Sequence, residues 1–226
     1  MVVSFNDFIK ELSKKQLILL GEIHGTKEIP HEVKKIIKSL TKYNIKNVFF
    51  EIPIEYQNFL DKFIESSKNI DLYNIPFFKE TKDGRNSKDY LDLIRYIRNK
   101  TKIKIFFVDS LKSINNRDFN IFDNIKQAYY EHVGLSIFIT GNVHAYTDIF
   151  TVENTKIKTT GYYLKNLFKD KLVSVNFMPL SGVFYNLWLK TIQNKEKVSK
   201  ITIEKESIGY DFNYFIPRVS PCSFIY

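Results

Sequence analysis

Two short motifs of the same form carry residues that can do acid–base or metal chemistry. They are Gly21-Glu22-Ile23-His24 and Gly141-Asn142-Val143-His144, and they hold two of the four histidines in the chain. Imidazoles and carboxylates move protons in enzyme sites and also bind divalent metal ions. The glycine of each motif allows a sharp turn at a strand end, and the spacing carries the histidine beyond that turn. The motifs therefore predict one site that contains both histidines.

Each motif follows an apolar run, and two further apolar runs end in a carboxylate. Asn47–Phe50 leads into Glu51 and Ile103–Val108 leads into Asp109, while Leu17–Leu20 and Leu135–Thr140 precede the two motifs. Continuous apolar runs of this length are typical of parallel strands that are buried on both faces. Because the carboxyl ends of parallel strands lie at the ligand-binding edge of the sheet, we expect these side chains to converge there.

Segments with helical spacing lie between the apolar runs. Apolar residues recur at positions 33, 36, 37 and 40, which predicts a helix. Three more helices are predicted at Ser87–Arg98, Asp118–His132 and Gly161–Phe168, and a fifth buried strand is predicted at Leu172–Phe177. This alternation predicts an α/β fold with a mostly parallel sheet flanked by helices. The two Gly-x-x-His motifs share one layout of strand, turn, helix and strand, so we expect two related halves with adjacent turns.

The pattern changes after Gly182. Val183–Leu189 and Val198–Glu204 alternate or are β-branched, which favours an antiparallel pair on the sheet edge. The aromatic tail, Tyr210–Tyr226, contains two prolines and is expected to be irregular and to pack on the body. The sequence thus predicts an α/β core over residues 1–182 and a small C-terminal β extension over residues 183–226, packed on the same domain.

Two kinds of chemistry suit the predicted cluster. His24, Glu51 and His144 could bind a divalent metal ion that lowers the pKa of its water. Alternatively His24 could take a proton from water directly, with Glu22 or Glu51 fixing its tautomer. Both chemistries make His24, Glu51, His144 and Glu22 the candidate catalytic residues.

Arginines near the cluster are candidates for binding a substrate anion. Arg117 and Asp118 open a predicted helix, where Asp118 suits the positive end of the helix dipole. Arg117 could reach the carboxylates, either to bind an anion or to balance charge. Arg85 lies in a loop before Ser87, which is expected to cap the next helix. Arg117, Asp109 and Arg85 are therefore the predicted substrate-binding residues.

Composition limits the other classes of function. The 34 Lys and Arg residues exceed the 25 Asp and Glu residues, for a net charge of +9, but no long basic tract occurs, so we expect no nucleic-acid partner. The single cysteine, Cys222, indicates a reducing compartment. The start of the chain does not resemble a signal peptide and no apolar run is long enough to span a bilayer, which predicts a cytoplasmic protein.

In these residues the chain resembles the superfamily of erythromycin esterases, ChaN haem-uptake lipoproteins and Tiki metalloproteases. The shared marks are an early Gly-Glu-x-His, a Glu that ends the next strand, and a late Gly-x-x-His, here ending at His24, Glu51 and His144. The Arg117-Asp118 helix start and the Thr160-Gly161 helix start also resemble that superfamily. The resemblance covers about residues 15–182 in order and spacing.

The resemblance implies an α/β fold with a site made of His24, Glu51 and His144, helped by Glu22. Its members include metal-independent esterases, metal-dependent proteases and haem-binding proteins. We therefore expect a hydrolase that activates water to cleave an ester or amide bond in a small molecule or peptide, with a divalent metal as a candidate cofactor. The alternative is a protein of the ChaN type that binds haem or another small ligand without hydrolysis.

Overall fold

The computed structural model describes residues 1–66, 70–81, 83–100, 102–111, 116–194, 198–206 and 208–224. The last two residues of the predicted tail lie outside that part. The strands are β1 (Val2–Val3), β2 (Leu17–Glu22), β3 (Asn47–Pro53), β4 (Lys104–Asp109), β5 (Ser136–Gly141), β6 (Ile149–Val152), β7 (Thr155–Lys158), β8 (Leu172–Pro179), β9 (Ser181–Asn186), β10 (Trp188–Gln193), β11 (Thr202–Lys205) and β12 (Phe212–Ile216).

Helices connect these strands, and those predicted from the sequence are present within a few residues of the expected ends. They are α1 (Phe5–Ser13), α2 (Glu28–Leu40), α3 (Gln57–Ser66), α4 (Ile70–Tyr73), α5 (Pro76–Glu80), α6 (Lys88–Lys100), α7 (Arg117–Glu131), α8 (Asn142–Ala145) and α9 (Thr160–Phe168). In the part of the chain that the structure describes, no helix has the length and apolar character needed to cross a bilayer.

The main sheet has the strand order β1-β11-β12-β8-β2-β5-β3-β4. From β12 to β4 neighbouring strands are parallel, and β11 and β1 add an antiparallel edge. The predicted mostly parallel sheet is therefore confirmed. The strands β2 and β5, which precede the two Gly-x-x-His motifs, are direct neighbours, with Glu22 opposite Gly141. This register explains why the matching turns lie together.

Helices cover both faces of the sheet. Side chains alternate along β2, so that Ile18 faces one core and Leu19 faces the other. The first core includes Val33 of α2 and Ile94 of α6, and the second includes Ile121 of α7. With both faces covered, a ligand can approach the sheet at the strand ends, and the carboxyl ends carry the polar motifs.

The C-terminal region differs from its prediction in strand pairing. The predicted strand Val183–Leu189 spans the turn of a separate hairpin, in which β9 pairs with β10. Only the end of the predicted Val198–Glu204 is a strand, β11, and it joins the main sheet between β12 and β1. The tail was also expected to be irregular, yet its residues 212–216 form β12, parallel to β8. The pairings of β11 with β1 and of β12 with β8 join segments that are distant in sequence and leave no local pattern, whereas β9 and β10 form a local hairpin whose turn at Leu187 was missed.

The loop after His24 is fixed by segments from the C-terminal region. The carbonyl of Gly25 accepts the N–H of Tyr185, on β9, at 3.0 Å and that of Cys222 at 2.9 Å. Gly25 has a φ of +84°, and a Cβ there would lie 1.6 Å from the Tyr185 carbonyl oxygen. Only glycine fits at this position, and it lets the hairpin approach the loop that carries His24.

Candidate functional site

The two Gly-x-x-His motifs bring both imidazoles to one point. A Cβ built on Gly141 would lie 3.2 Å from Nε2 of His24, 3.6 Å from Cδ2 of His144 and 3.6 Å from Oε2 of Glu51. The space beside Gly141 is therefore bordered by both histidines and by Glu51. Gly21 meets a different need, since a Cβ there would lie 2.8 Å from the Cβ of Ala145. The first glycine thus permits close packing, and the second leaves room within the site.

Each imidazole is held through Nδ1 by a carboxylate. Nδ1 of His24 lies 2.8 Å from Oε1 of Glu22, and Nδ1 of His144 lies 2.7 Å from Oδ1 of Asp118. A carboxylate at Nδ1 accepts the proton there, so in the neutral ring the lone pair is on Nε2. The His24 and His144 side chains are 12% and 17% exposed, which leaves each ring partly open to a small molecule.

Glu51 lies at the centre of the cluster, and four donors surround its carboxylate. Oε1 lies 2.5 Å from Nη2 of Arg117 and 3.1 Å from Nη1 of Arg85. Oε2 accepts the Thr140 hydroxyl at 2.6 Å and the Gly141 N–H at 2.7 Å. A carboxylate offers about four lone-pair positions, so these contacts use its capacity. This arrangement makes Glu51 an anchor for the site.

The two arginines bind protein carboxylates on both sides of Glu51. Arg117 forms a double contact with Asp109 through Nε at 3.0 Å and Nη2 at 2.7 Å, and its Nη1 lies 2.9 Å from Nε2 of His144. Arg85 binds Asp83 in the same double manner through Nε and Nη2, and its side chain is 12% exposed. These contacts favour charge balance for both arginines. Substrate binding by Arg85, Arg117 and Asp109 stays a prediction.

The electrostatics of the cluster favour ionised groups. Burial raises the pKa of Glu51, but the charges of His144, Arg85, His24 and Arg117 outweigh it and hold that pKa well below its usual range. Burial lowers the pKa of His144, yet Glu51 and Asp118 together raise it above its ordinary value. The pKa of Asp118 is lowered, because the contacts with His144 and Thr160 outweigh burial. His144 is therefore biased towards its protonated form.

The donor set does not fit the predicted metal site. In the described ranges no group of three or more His, Cys, Asp or Glu side chains has the arrangement to hold a metal ion. The physical reason lies in Glu51, whose oxygens are occupied by Arg117, Arg85, Thr140 and Gly141. In addition, Nε2 of His144 faces the Arg117 guanidinium, so a cation already stands where the ion would have to bind.

Three contributors to the site were not assigned this role from the sequence. Asp118 was predicted only as a helix-dipole partner, but it also binds His144 and Thr160. Asp83 and Thr140 were not singled out, although they hold Arg85 and Glu51. The signal for Asp118 is its place beside Arg117 in the first turn of the helix after β4, because that turn faces the carboxyl edge of the sheet.

Comparison with known proteins supports the fold. No family model matches the chain, and no curated protein is significantly similar to it. Solved structures do match: a Bacillus cereus protein has a TM-score of 0.75 at 13% identity, covering 99% of this chain and 94% of its own. An erythromycin esterase, EreC in its open conformation, has a TM-score of 0.71 at 8% identity, with 99% and 96% covered.

A third match is the ChaN protein of Campylobacter jejuni, solved with cofacial haem. Its TM-score is 0.55 at 19% identity, and the alignment covers 94% of this chain and 92% of that one. At these identities the likeness shows the fold. The fold class and the resemblance expected from the two Gly-x-x-His motifs are confirmed at that level. The chain thus has the fold of the superfamily that includes ChaN and erythromycin esterase.

Proposed function

We propose that the protein is a metal-independent hydrolase that cleaves an ester or a related acyl bond with two histidine–carboxylate pairs. The observation that carries the proposal is the placement of both Nε2 atoms around the Glu51 carboxylate. Nε2 of His24 lies 4.0 Å from Oε2 of Glu51, and Nε2 of His144 lies 3.8 Å from Oε1. Each ring has a carboxylate at Nδ1, so each can exchange a proton at Nε2 in the same small space.

His24 acts as the general base. Glu22 accepts the Nδ1 proton, which leaves the Nε2 lone pair to take a proton from a water molecule. Glu22 is 3% exposed, so its contact with His24 is shielded from bulk water. The resulting hydroxide attacks the carbonyl carbon, and the carbonyl π electrons move onto the oxygen to give a tetrahedral intermediate.

His144 acts as the general acid. Glu51 and Asp118 raise its pKa, which favours the imidazolium form, and in that form the Nε2 proton passes to the leaving alkoxide as the acyl C–O bond breaks. Once the proton has left, Arg117 Nη1, at 2.9 Å, donates a hydrogen bond to the free Nε2 lone pair. Arg117 therefore stabilises the deprotonated ring, which favours release of the proton. The oxyanion electrons re-form the carbonyl, and the products are a carboxylic acid and an alcohol. His24 then gives its proton to solvent and His144 takes one from solvent, which restores both rings.

Arg117 is also placed to stabilise negative charge on the intermediate. Its side chain is 34% exposed, whereas that of Arg85 is 12% exposed. A guanidinium in a partly buried site offers fixed positive charge where an oxyanion forms. Glu51 and Asp109 hold this guanidinium in position, so its orientation does not depend on substrate. Glu51 is a positioning residue in this mechanism.

The test is a panel of aryl and alkyl esters and amides with the wild type, His24→Gln and His144→Gln. Loss of general acid–base catalysis lowers rates by about 10²–10⁴-fold, so we expect losses of that order in kcat/KM. His132→Gln is the matched control, because His132 stacks on Phe106, outside the site. Folded His24 and His144 variants with full activity would refute the proposal, as would a wild type that cleaves none of the panel.

Haem binding is the second candidate, favoured by the fold shared with ChaN of Campylobacter jejuni, whose solved structure contains cofacial haem. In this chain the two imidazoles face Glu51, and His144 Nε2 is engaged by Arg117, which gives axial ligation less support. A haem titration separates the candidates. A stoichiometric Soret shift that His24→Gln or His144→Gln abolishes, in a protein without hydrolytic activity, would favour haem binding.

A further inference from the structure

An exposed apolar tip stands on the hairpin formed by β9 and β10. Leu187, Trp188 and Leu189 are consecutive in sequence and are 56%, 60% and 63% exposed. A run of three large apolar residues in solvent is unfavourable for a monomeric protein unless it meets a partner. The tip therefore calls for a functional explanation.

The backbone at the tip strengthens this point. Leu187 forms the turn between the paired residues Asn186 and Trp188, and it has a φ of +66°. Glycine and asparagine adopt this left-handed region readily, whereas leucine does so at a conformational penalty. A leucine at this position gives the fold no benefit, since its side chain points away from either core.

The charge around the tip matches an anionic surface. Residues 181–194 contain one lysine and no acidic residue, in a chain with a net charge of +9. The ammonium of that lysine, Lys190, lies 4.7 Å from the centre of the Trp188 ring. An indole ring with a cation beside it is the combination that favours the boundary between acyl chains and anionic headgroups.

From these observations we propose that the hairpin tip inserts into the headgroup region of an anionic phospholipid bilayer. Leu187, Trp188 and Leu189 supply the apolar contact, and Lys190 pairs with a lipid phosphate or carboxylate. This binding is peripheral, and it does not depend on the proposed hydrolysis. Because Tyr185 of β9 donates to the Gly25 carbonyl, insertion would hold the loop of His24 next to the lipid surface.

The chain contains its own reporter for this binding. Trp188 is the only tryptophan in the sequence, so its fluorescence comes from the tip alone. We expect a blue shift of its emission and co-sedimentation of the protein with vesicles of phosphatidylcholine and phosphatidylserine. Vesicles of phosphatidylcholine alone should bind more weakly, and added salt should weaken binding to the anionic vesicles.

The variant that tests the tip combines Leu187→Asn with Leu189→Ser and keeps the reporter. Asparagine tolerates the left-handed turn, so we expect the variant to fold as the wild type does. Burial of the two leucine side chains in the lipid contributes to the free energy of binding. Its loss should make vesicle binding about 100-fold weaker in the variant. Val133→Ser is the matched control, since Val133 is 63% exposed in the loop before β5, away from the hairpin.

Three outcomes would overturn the proposal. One is the absence of a blue shift and of co-sedimentation with anionic vesicles. Another is equal binding by the wild type and by the double variant. The third is a concentration-dependent dimer without lipid that the double variant abolishes, because the tip would then bind a second copy of this chain. Retained binding in Val133→Ser together with loss in the double variant would support it.

Discussion

Nδ1 of His144 lies 2.7 Å from Oδ1 of Asp118, and the same oxygen accepts the N–H of Thr160 at 2.6 Å and its hydroxyl at 2.8 Å. Asp118 therefore joins the first turn of α7, the motif after β5 and the start of α9. Its position is set by three contacts, so it fixes the direction of the imidazole. This relationship gives His144 its proposed role as an acid.

Asp118→Asn should reduce both the activity and the pKa of His144. The amide removes a charge that raises this pKa, and it allows the wrong tautomer of the ring. We expect kcat/KM to fall by about 10²–10⁴-fold and the basic limb of its pH profile to move to lower pH. NMR titration of His144 measures the pKa directly. Asp123→Asn, on the exposed face of the same helix, is the control, and an unmoved His144 titration would contradict the assignment.

Folding stability should depend on the protonation of His144. Its folded pKa is raised above the ordinary value of 6.5, so the stabilising contribution is fully present below pH 6.5 and is lost as pH rises through the folded pKa. Urea unfolding across neutral pH should show this loss in the wild type and a smaller one in His144→Gln. Parallel stability curves for the two proteins would show that folding does not raise the pKa of His144.

Glu51→Gln should destabilise the protein. The change removes the counter-ion that Arg85 and Arg117 share, but each arginine keeps an aspartate, so we expect a cost below the roughly 3–5 kcal/mol of leaving a buried charge unpaired. Glu32→Gln is a buried control, because the amide oxygen can still accept the Tyr214 hydroxyl, so we expect it to cost only about 1 kcal/mol. Chemical unfolding of both variants at neutral pH gives the comparison.

The free energy of unfolding at acidic pH gives a second test of Glu51. Its folded pKa lies well below 4.5, so its contribution is present above pH 4.5 and is lost as pH falls towards the folded pKa. The wild type should lose this part of its stability in acid, and Glu51→Gln should not. Equal acid sensitivity in both proteins would mean that other carboxylates control the transition.

Gly141→Ala should leave the fold intact and block the site. Gly141 has a φ of −58°, which alanine adopts freely, but the new Cβ would lie 3.2 Å from Nε2 of His24. We expect kcat/KM to fall, since the methyl group would occupy the space between the two imidazoles and push His24 from its position. Circular dichroism and thermal melting check the fold. An active Gly141→Ala would place the reacting atoms elsewhere.

Gly161→Ala should lower the stability of the fold, in contrast to Gly141→Ala. Its Cβ would lie 2.5 Å from the carbonyl oxygen of Tyr146, which belongs to the backbone and cannot rotate away. Such overpacking costs about 1–3 kcal/mol, so this variant should melt at a lower temperature. The contrast between the two glycines separates a steric block within the site from a general loss of stability. If both variants lost stability equally, the space beside Gly141 would be part of the packing.

The parallel strands were predictable because their burial on both faces leaves continuous apolar runs. Strand β2 and its neighbour β5 were recognisable in this way, and the Gly-x-x-His motifs after them located both imidazoles. Strand β12 was not, since Phe212–Ile216 is short, ends before Pro217 and pairs with residues 175–179. A pairing between such distant segments has no local signature in the sequence.

The contacts within the site were less predictable than its members. An aspartate in the first turn of a helix is already accounted for by its interaction with the helix dipole. Asp118 therefore gave no sign that it binds a histidine 26 positions away. Likewise, a metal site was a reasonable expectation from His24, Glu51 and His144. The described residues do not support it, because Arg85 from a loop and Arg117 from the start of α7 occupy the carboxylate. Which cation meets a buried acid depends on long-range packing that residue types alone do not determine.

The carbonyl of Gly25 joins the C-terminal segment to the residue that follows His24. Cys222 donates to this carbonyl, and Ser223 donates to Asp89. A protease that trimmed the chain after Arg218 would remove both attachments without cutting near either imidazole. The Gly25 carbonyl would then keep only its contact with the N–H of Tyr185, so residues 219–224 help to hold the loop that carries His24.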